Sequence, residues 1–274
     1  MRLIPSVYPV VQRTLPRMAH RWAYRIFMTP IRIPIRPKEQ AWLETAKQVT
    51  LHVRGLEIRA YEYGEGKPVF LVHGWMGKAT QWHLMIDALL EKGYKTIAFD
   101  AKGHGNSPGK VSNILEFAGC LEALQAHYGV PVATIGHSLG AASIFLGMKH
   151  GFKTNSVVSI AQPVMAADIM QAFRLKINAN IALDRALSNL VKRDYGAHFD
   201  EFATESTVKF APDIPYQIIH DPADDEAYFS NGLWLKDQLK NVEFHELENV
   251  GHYKIVKEEA VISRVVDFVH RHDA

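Results

Sequence analysis

The chain holds a single cysteine, Cys120, in 274 residues. An internal disulfide is thereby excluded, and a reducing, cytoplasmic setting fits the composition. Cys120 falls in a predicted helix, where a lone thiol acts as a small core side chain. No run of 18 apolar residues occurs, so no transmembrane helix is expected. Internal repeats and low-complexity tracts are also missing. The first 38 residues lack acid. Eight of the 31 Lys and Arg stand there (Arg2, Arg13, Arg17, Arg21, Arg25, Arg32, Arg36 and Lys38), the acids begin at Glu39, and the remaining chain carries a net charge of −6. A mildly acidic body is not a nucleic-acid binder by charge.

The basic N-terminal arm, residues 1–46, is the least readable part. Pro5 and Pro9 interrupt its first apolar run, which makes a poor signal-peptide core. The favoured reading is an arm packed on the body, with Trp22, Tyr24, Ile26 and Phe27 as anchors and its arginines facing the acidic remainder. Arg-rich, acid-free composition also suits peripheral membrane contact through residues 1–38, or a targeting segment. Pro30, Pro34 and Pro37 then enforce an extended linker.

Beyond the arm, strand and helix patterns alternate. Gln48–Val53 and Leu56–Tyr63 read as a hairpin turning at Arg54-Gly55. Pro68–Val72, Lys95–Phe99, residues 132–136, Ser156–Ile160, Tyr216–Ile219 and Val242–Leu247 read as short strands, several of them continuously apolar, as in a buried parallel sheet. Helices are predicted over 79–92, 114–127 (capped by Asn113, with Glu116 completing a capping box), 228–239 and 258–270. Residues 163–213 break the alternation and read as two or three helices inserted above the strand ends. The fold class is α/β: a doubly wound, mostly parallel eight-stranded sheet, with the core in 47–162 and 214–274 and a small helical lid in 163–213.

The centre of the pattern is Val132 to Ala142. A β-prone run enters Gly136-His137-Ser138-Leu139-Gly140, and a small-residue helix leaves it from Ala141 to His150. This strand–Gly-x-Ser-x-Gly–helix sequence has the form of a nucleophile elbow. Gly136 and Gly140 let strand and helix approach closely, and the helix N-terminus aims amide N–H groups at a developing oxyanion. His73-Gly74-Trp75 closes one strand, Asp100 to Ser107 forms a glycine-rich loop after the next, and His220 to Asp225 and Gly251-His252 close two later ones.

In this order of serine, acid and histidine, the sequence resembles the α/β-hydrolases over roughly residues 47–270, and within them small bacterial serine hydrolases with a short lid. Phe27 to Pro30 also resembles their N-terminal arm. The resemblance implies Ser138 as nucleophile, His252 as general base and an acid within His220–Asp225. Family spacing points to Asp224, with Asp221 and Asp225 as the competing carboxylates. It further implies an oxyanion hole from the backbone N–H groups of Trp75 and Leu139, with neither cofactor nor metal. His73, His104 and Asp100 read more readily as braces than as chemistry, and Lys102 replaces the family's usual Arg. The histidines at 270 and 272 read as solvated rather than metal-binding.

The expected function is hydrolysis of a small-molecule carboxylic ester with a small to medium apolar acyl group, through an acyl-serine intermediate. Expected pocket residues are His73, Trp75, His137, Met165, Met170 and Phe173. Other acyl chemistry on the same three residues (thioesterase, C–C hydrolase or acyltransferase) and a non-catalytic receptor are the alternatives. Dehalogenase and epoxide-hydrolase readings are disfavoured, because family members with those activities carry Asp where this chain has Ser138. No sequence feature specifies an oligomeric state.

Overall fold

Among the described residues, eight strands form one sheet: β1 (Lys47–Val53), β2 (Leu56–Tyr63), β3 (Pro68–Val72), β4 (Lys95–Phe99), β5 (Ala133–His137), β6 (Val157–Ile160), β7 (Tyr216–His220) and β8 (Val242–Glu246). The structure, a computed structural model, describes residues 3–273. The strand order is β1-β2-β4-β3-β5-β6-β7-β8; β2 runs antiparallel to both neighbours and all other pairs are parallel. Arg54 and Gly55 turn the β1–β2 hairpin with φ of 48° and 77°, the paired positive values of a two-residue hairpin turn.

The helices are α1 (Ile4–Thr14), α2 (Pro16–Phe27), α3 (Pro37–Glu44), α4 (His83–Glu91), α5 (Ile114–Tyr128), α6 (Leu139–Lys149), α7 (Ala166–Lys176), α8 (Ala182–Tyr195), α9 (Thr204–Thr207), α10 (Phe229–Gln238) and α11 (Glu259–Arg271). The period-2 geometry of β3 explains the two cores. Val69 and Leu71 face α4 and α11, joining Trp82, Met85, Leu89, Val265 and Phe268. Phe70 and Val72 face α5 and α6, joining Phe117, Leu121, Ile144 and Phe145. All four β3 side chains are fully buried, so the strand reads as an unbroken apolar run.

Three local expectations shift. Residues 79–82 form a tight 3₁₀ turn ahead of α4, and α6 begins at Leu139 instead of Ala141. Asn113 caps α5 by accepting from the N–H groups of Leu115 and Glu116. The Glu116 carboxylate does not return to the cap; it takes the Lys102 ammonium at 2.8 Å instead, the stronger, charge-assisted partner.

The arm is helical and packs on the lid. Tyr8, Ala19, Ala23, Tyr24 and Met28 share a third apolar cluster with Met170, Ile177, Leu183, Leu187 and Val191. The Tyr24 hydroxyl donates to Asp194 at 2.8 Å, and Gln12 exchanges hydrogen bonds with Asn180. Residues 29–36 run without regular structure, as three prolines dictate. The arginines do not meet the acidic body as a group. Arg36 pairs with Glu39, and Arg32 donates to the carbonyls of Gly105, Ser107 and Gly109, clamping the glycine-rich loop.

Candidate active site

Ser138 sits at the turn between β5 and α6 with φ 53° and ψ −124°, a conformation that costs an L-residue on the order of 1–3 kcal/mol. The surroundings hold it there. Its N–H donates to Ile160 O at 2.9 Å, and its carbonyl accepts from Ala142 at 3.1 Å. A Cβ on Gly136 would lie 2.5 Å from Ala141 Cα, and one on Gly140 would lie 2.3 Å from Val72 O. Both glycines are therefore sterically required for the strand, the turn and the helix to pack so closely.

The loops after β7 and β8 bring the other two groups to the hydroxyl. His252 Nε2 lies 3.0 Å from Ser138 Oγ, and His252 Nδ1 lies 2.7 Å from Asp224 Oδ2. Asp224 Oδ1 accepts from the N–H groups of Glu226 and Ala227, both at 2.9 Å. Burial pushes the Asp224 carboxyl up, but the His252 imidazole and these N–H donors outweigh it and hold the group below the usual carboxylate range. Asp221 does different work. Its carboxylate accepts from Ala223 in its own turn and from Val250 and Gly251 at 2.5 and 2.6 Å, tying the histidine loop to the acid loop. Asp225 is exposed and takes no part in the array.

On the opposite side, the loop after β3 turns back through a Gly77 N–H bond to Gly74 O at 2.9 Å. Among the described residues, the backbone N–H groups of Trp75 and Leu139 have no acceptor. His104 Nε2 accepts the Met76 N–H at 3.2 Å, and His73 Nε2 accepts the Ala101 N–H at 3.0 Å. Asp100 accepts from Ala79, Asn106 and Tyr61. These three side chains brace the loops. Burial lowers His73 to about 4, and burial together with neighbouring imidazoles lowers His104 and His137 to about 3. They stay neutral at physiological pH and are too weakly basic to take a serine proton there.

A cavity of about 1120 Å³ opens over Ser138. Trp75, His137, Leu139, Phe173 and His252 line it, together with Ile26, Phe27, Met28 and Ile33 of the arm, Ile169 and Ala172 of α7, Val191 and Tyr195 of α8, and Phe199 and Phe202. Its wall is mainly apolar. Phe27 meets Phe173 and Phe199 edge-on, with centroids 4.9 and 5.5 Å apart.

Three residues expected at the pocket do not line it. His73 is fully buried, its Nδ1–H turned to Gly74 O at 2.7 Å. Met170 faces the arm–lid cluster. Met165 packs against the core beside α10, its N–H given to Asn231 Oδ1. The arm's share of the wall escapes sequence reading because its partners lie far along the chain. The i, i+4, i+8 spacing of Ala19, Ala23 and Phe27 was the available signal. Among the described residues, no three His, Cys, Asp or Glu side chains group as a metal site requires.

The sheet order and this arrangement are those of the α/β-hydrolase fold. Residues 67–177 match the alpha/beta hydrolase fold family. A non-heme haloperoxidase of Rhodococcus erythropolis is 33% identical over 93 residues, which are 33% of this chain and 34% of that protein. A 2-hydroxy-6-oxo-6-(2'-aminophenyl)hexa-2,4-dienoic acid hydrolase of Metapseudomonas resinovorans is 24% identical over 67% of this chain and 63% of its own. The matched segment spans about a third or less of the first three curated relatives. An esterase structure from Pyrococcus furiosus covers 90% of this chain and 100% of its own with a TM-score of 0.68 at 22% identity. A bromoperoxidase from Bacillus anthracis covers 82% and 100% with 0.63 at 18%. Identities this low establish the shared fold.

Proposed function

We propose that the protein is a serine hydrolase that cleaves carboxylic esters with an apolar acyl group. The carrying observation is the continuous array from Asp224 through His252 to Ser138, with separations of 2.7 and 3.0 Å, opening on an apolar cavity. His252 Nε2 takes the Ser138 proton as Oγ attacks the carbonyl carbon. The N–H groups of Trp75 and Leu139 hold the resulting oxyanion, a contribution of about 3–4 kcal/mol for each donor. Collapse expels the alcohol, which receives the proton from His252. Water then repeats the sequence on the acyl-serine, and Asp224 keeps the imidazole in the required tautomer and stabilises its cation. A cavity of about 1120 Å³ lies slightly above the ~300–1,000 Å³ of small-molecule sites and supports acyl chains longer than the small to medium length expected from the sequence.

Initial rates on p-nitrophenyl esters with acyl chains of two to twelve carbons, measured for wild type and Ser138→Ala, test this reading. A rate that depends on Ser138 and rises with chain length is expected. No ester turnover, with Ser138 unlabelled by a fluorophosphonate, overturns it in favour of a receptor. Labelling without ester turnover overturns the ester assignment alone and shifts it to other acyl chemistry on the same three residues.

A further inference from the structure

The outward side of the N-terminal hairpin is exposed yet carries aliphatic side chains among its arginines. In α1, Ile4, Tyr8, Val11 and Gln12 turn inward at helical spacing, while Leu3, just ahead of the helix, Val7 and Val10 form the opposite row. In α2, Ala19, Ala23 and Tyr24 are buried, and the exposed side carries Met18 with Arg17, Arg21 and Arg25. Leu15 joins the two helices. The five apolar side chains Leu3, Val7, Val10, Leu15 and Met18 are 46% to 77% exposed. Arg13, Arg17, Arg21 and Arg25 are exposed, and none has an acidic partner within 4 Å among the described residues. The apolar surface continues onto the lid. The Asn178 amide donates to Pro5 O, Gln12 and Asn180 pair, and the adjacent Ile181 is 68% exposed.

We infer that this hairpin seats the protein on an anionic lipid surface. Charge complementarity selects that occupant. The face holds arginine and aliphatic side chains with no acid through residue 38, whereas the rest of the chain is net negative. An anionic bilayer therefore attracts this end and repels the other. Arginine on the flank with aliphatic residues between is the pattern of a helix lying in the headgroup region. A second copy of the chain fits less well. Two helices each about 17 Å long present roughly 350 Å², well under the ~800 Å² per partner of a stable protein interface, and a like-charged face would oppose its twin. The hairpin also ends at the cavity: Ile26, Phe27 and Met28 close α2 and form part of its wall, so a lipid-seated arm stands beside the acyl site. Seating itself does not depend on the hydrolase reading.

Co-sedimentation of the full chain with phosphatidylcholine vesicles, with and without about 30 mol % phosphatidylserine, tests it. Binding to the anionic vesicles is expected, at least tenfold weaker on the neutral ones and reversed between about 0.05 and 0.5 M salt. Val7→Asp with Val10→Asp, and separately Arg17→Gln with Arg21→Gln, should each weaken it about tenfold or more while leaving the thermal midpoint within about 2 °C. Equal binding by both double variants, or no binding of wild type to anionic vesicles, overturns the inference. A dimer in solution that the valine variant converts to monomer, without vesicle binding, overturns it in favour of a second copy.

Discussion

The sheet and the arm–lid layer divide the molecule into a part that positions atoms and a part that shapes space. Ser138, Asp224 and His252 stand on the turns that follow the parallel strands β5, β7 and β8, with the Ser138 N–H itself bonded to β6. The cavity wall is assembled differently. It comes from α2, α7 and α8, segments distant in sequence that share one apolar cluster and a few polar links such as Tyr24–Asp194. Geometry accurate to tenths of an ångström needs rigid supports, while a wall that selects among acyl groups needs only volume and apolarity. The two regions should therefore respond to mutation in different measurable quantities.

The largest contrast lies between two aspartates three positions apart. Asp224→Asn should lower kcat by about 10⁴, since the amide favours the wrong imidazole tautomer, and leave substrate binding unchanged. Asp221→Asn keeps the array but weakens the two N–H bonds that hold the His252 loop, so a loss of about tenfold to a hundredfold in kcat with a lowered thermal midpoint is expected. Similar losses for the two variants would show that the acid is not Asp224 alone.

Phe27→Ala acts on the other side of the division. Removing the ring between Phe173 and Phe199 should reduce kcat/KM for a dodecanoyl ester about tenfold and leave an acetate within about twofold. A uniform loss across chain lengths would mean that the arm supports the chemistry instead of the acyl wall.

The smallest effect concerns the joint between the two regions. Glu39 of α3 accepts from Lys78 Nζ at 2.8 Å, the Arg36 N–H at 2.8 Å and the Thr80 hydroxyl, fixing the arm to the loop after β3. Burial pushes its carboxyl up, but Lys78 and Arg36 outweigh that and bring it from the ordinary 4.5 to about 2. A depressed folded value means stability that is present above about pH 4.5 and lost as pH falls toward 2. Wild type should melt a few degrees above Glu39→Gln at pH 7, and the gap should close through that window. A gap independent of pH would remove the charge from the explanation.

What was legible in the sequence follows the same division. β3 has four consecutive residues, Val69 to Val72, that bury on both faces, and the elbow compresses strand, turn and helix into eleven positions, so local pattern suffices for both. His252 and the acid were legible through the family resemblance, and three carboxylates in one loop left the acid open to family spacing alone. The arm was legible only as composition. Its inward residues need partners 168 to 170 positions away, and no local period names them. Met165 and Met170 failed as pocket residues because an apolar lid residue faces either the cavity or a layer behind it, which is the docked arm for Met170 and the core beside α10 for Met165. His73 failed because its position after β3 says where its backbone is, not which way its ring turns.

The arm's dependence on the lid has a consequence during synthesis. Gln12 leaves the ribosome well before Asn180, its partner 168 residues later. At roughly 5–20 residues per second, two basic, apolar-faced helices wait about ten to thirty seconds for the surface that covers Tyr8, Ala19 and Ala23. The segment is thus open to chaperones before the lid that covers it exists.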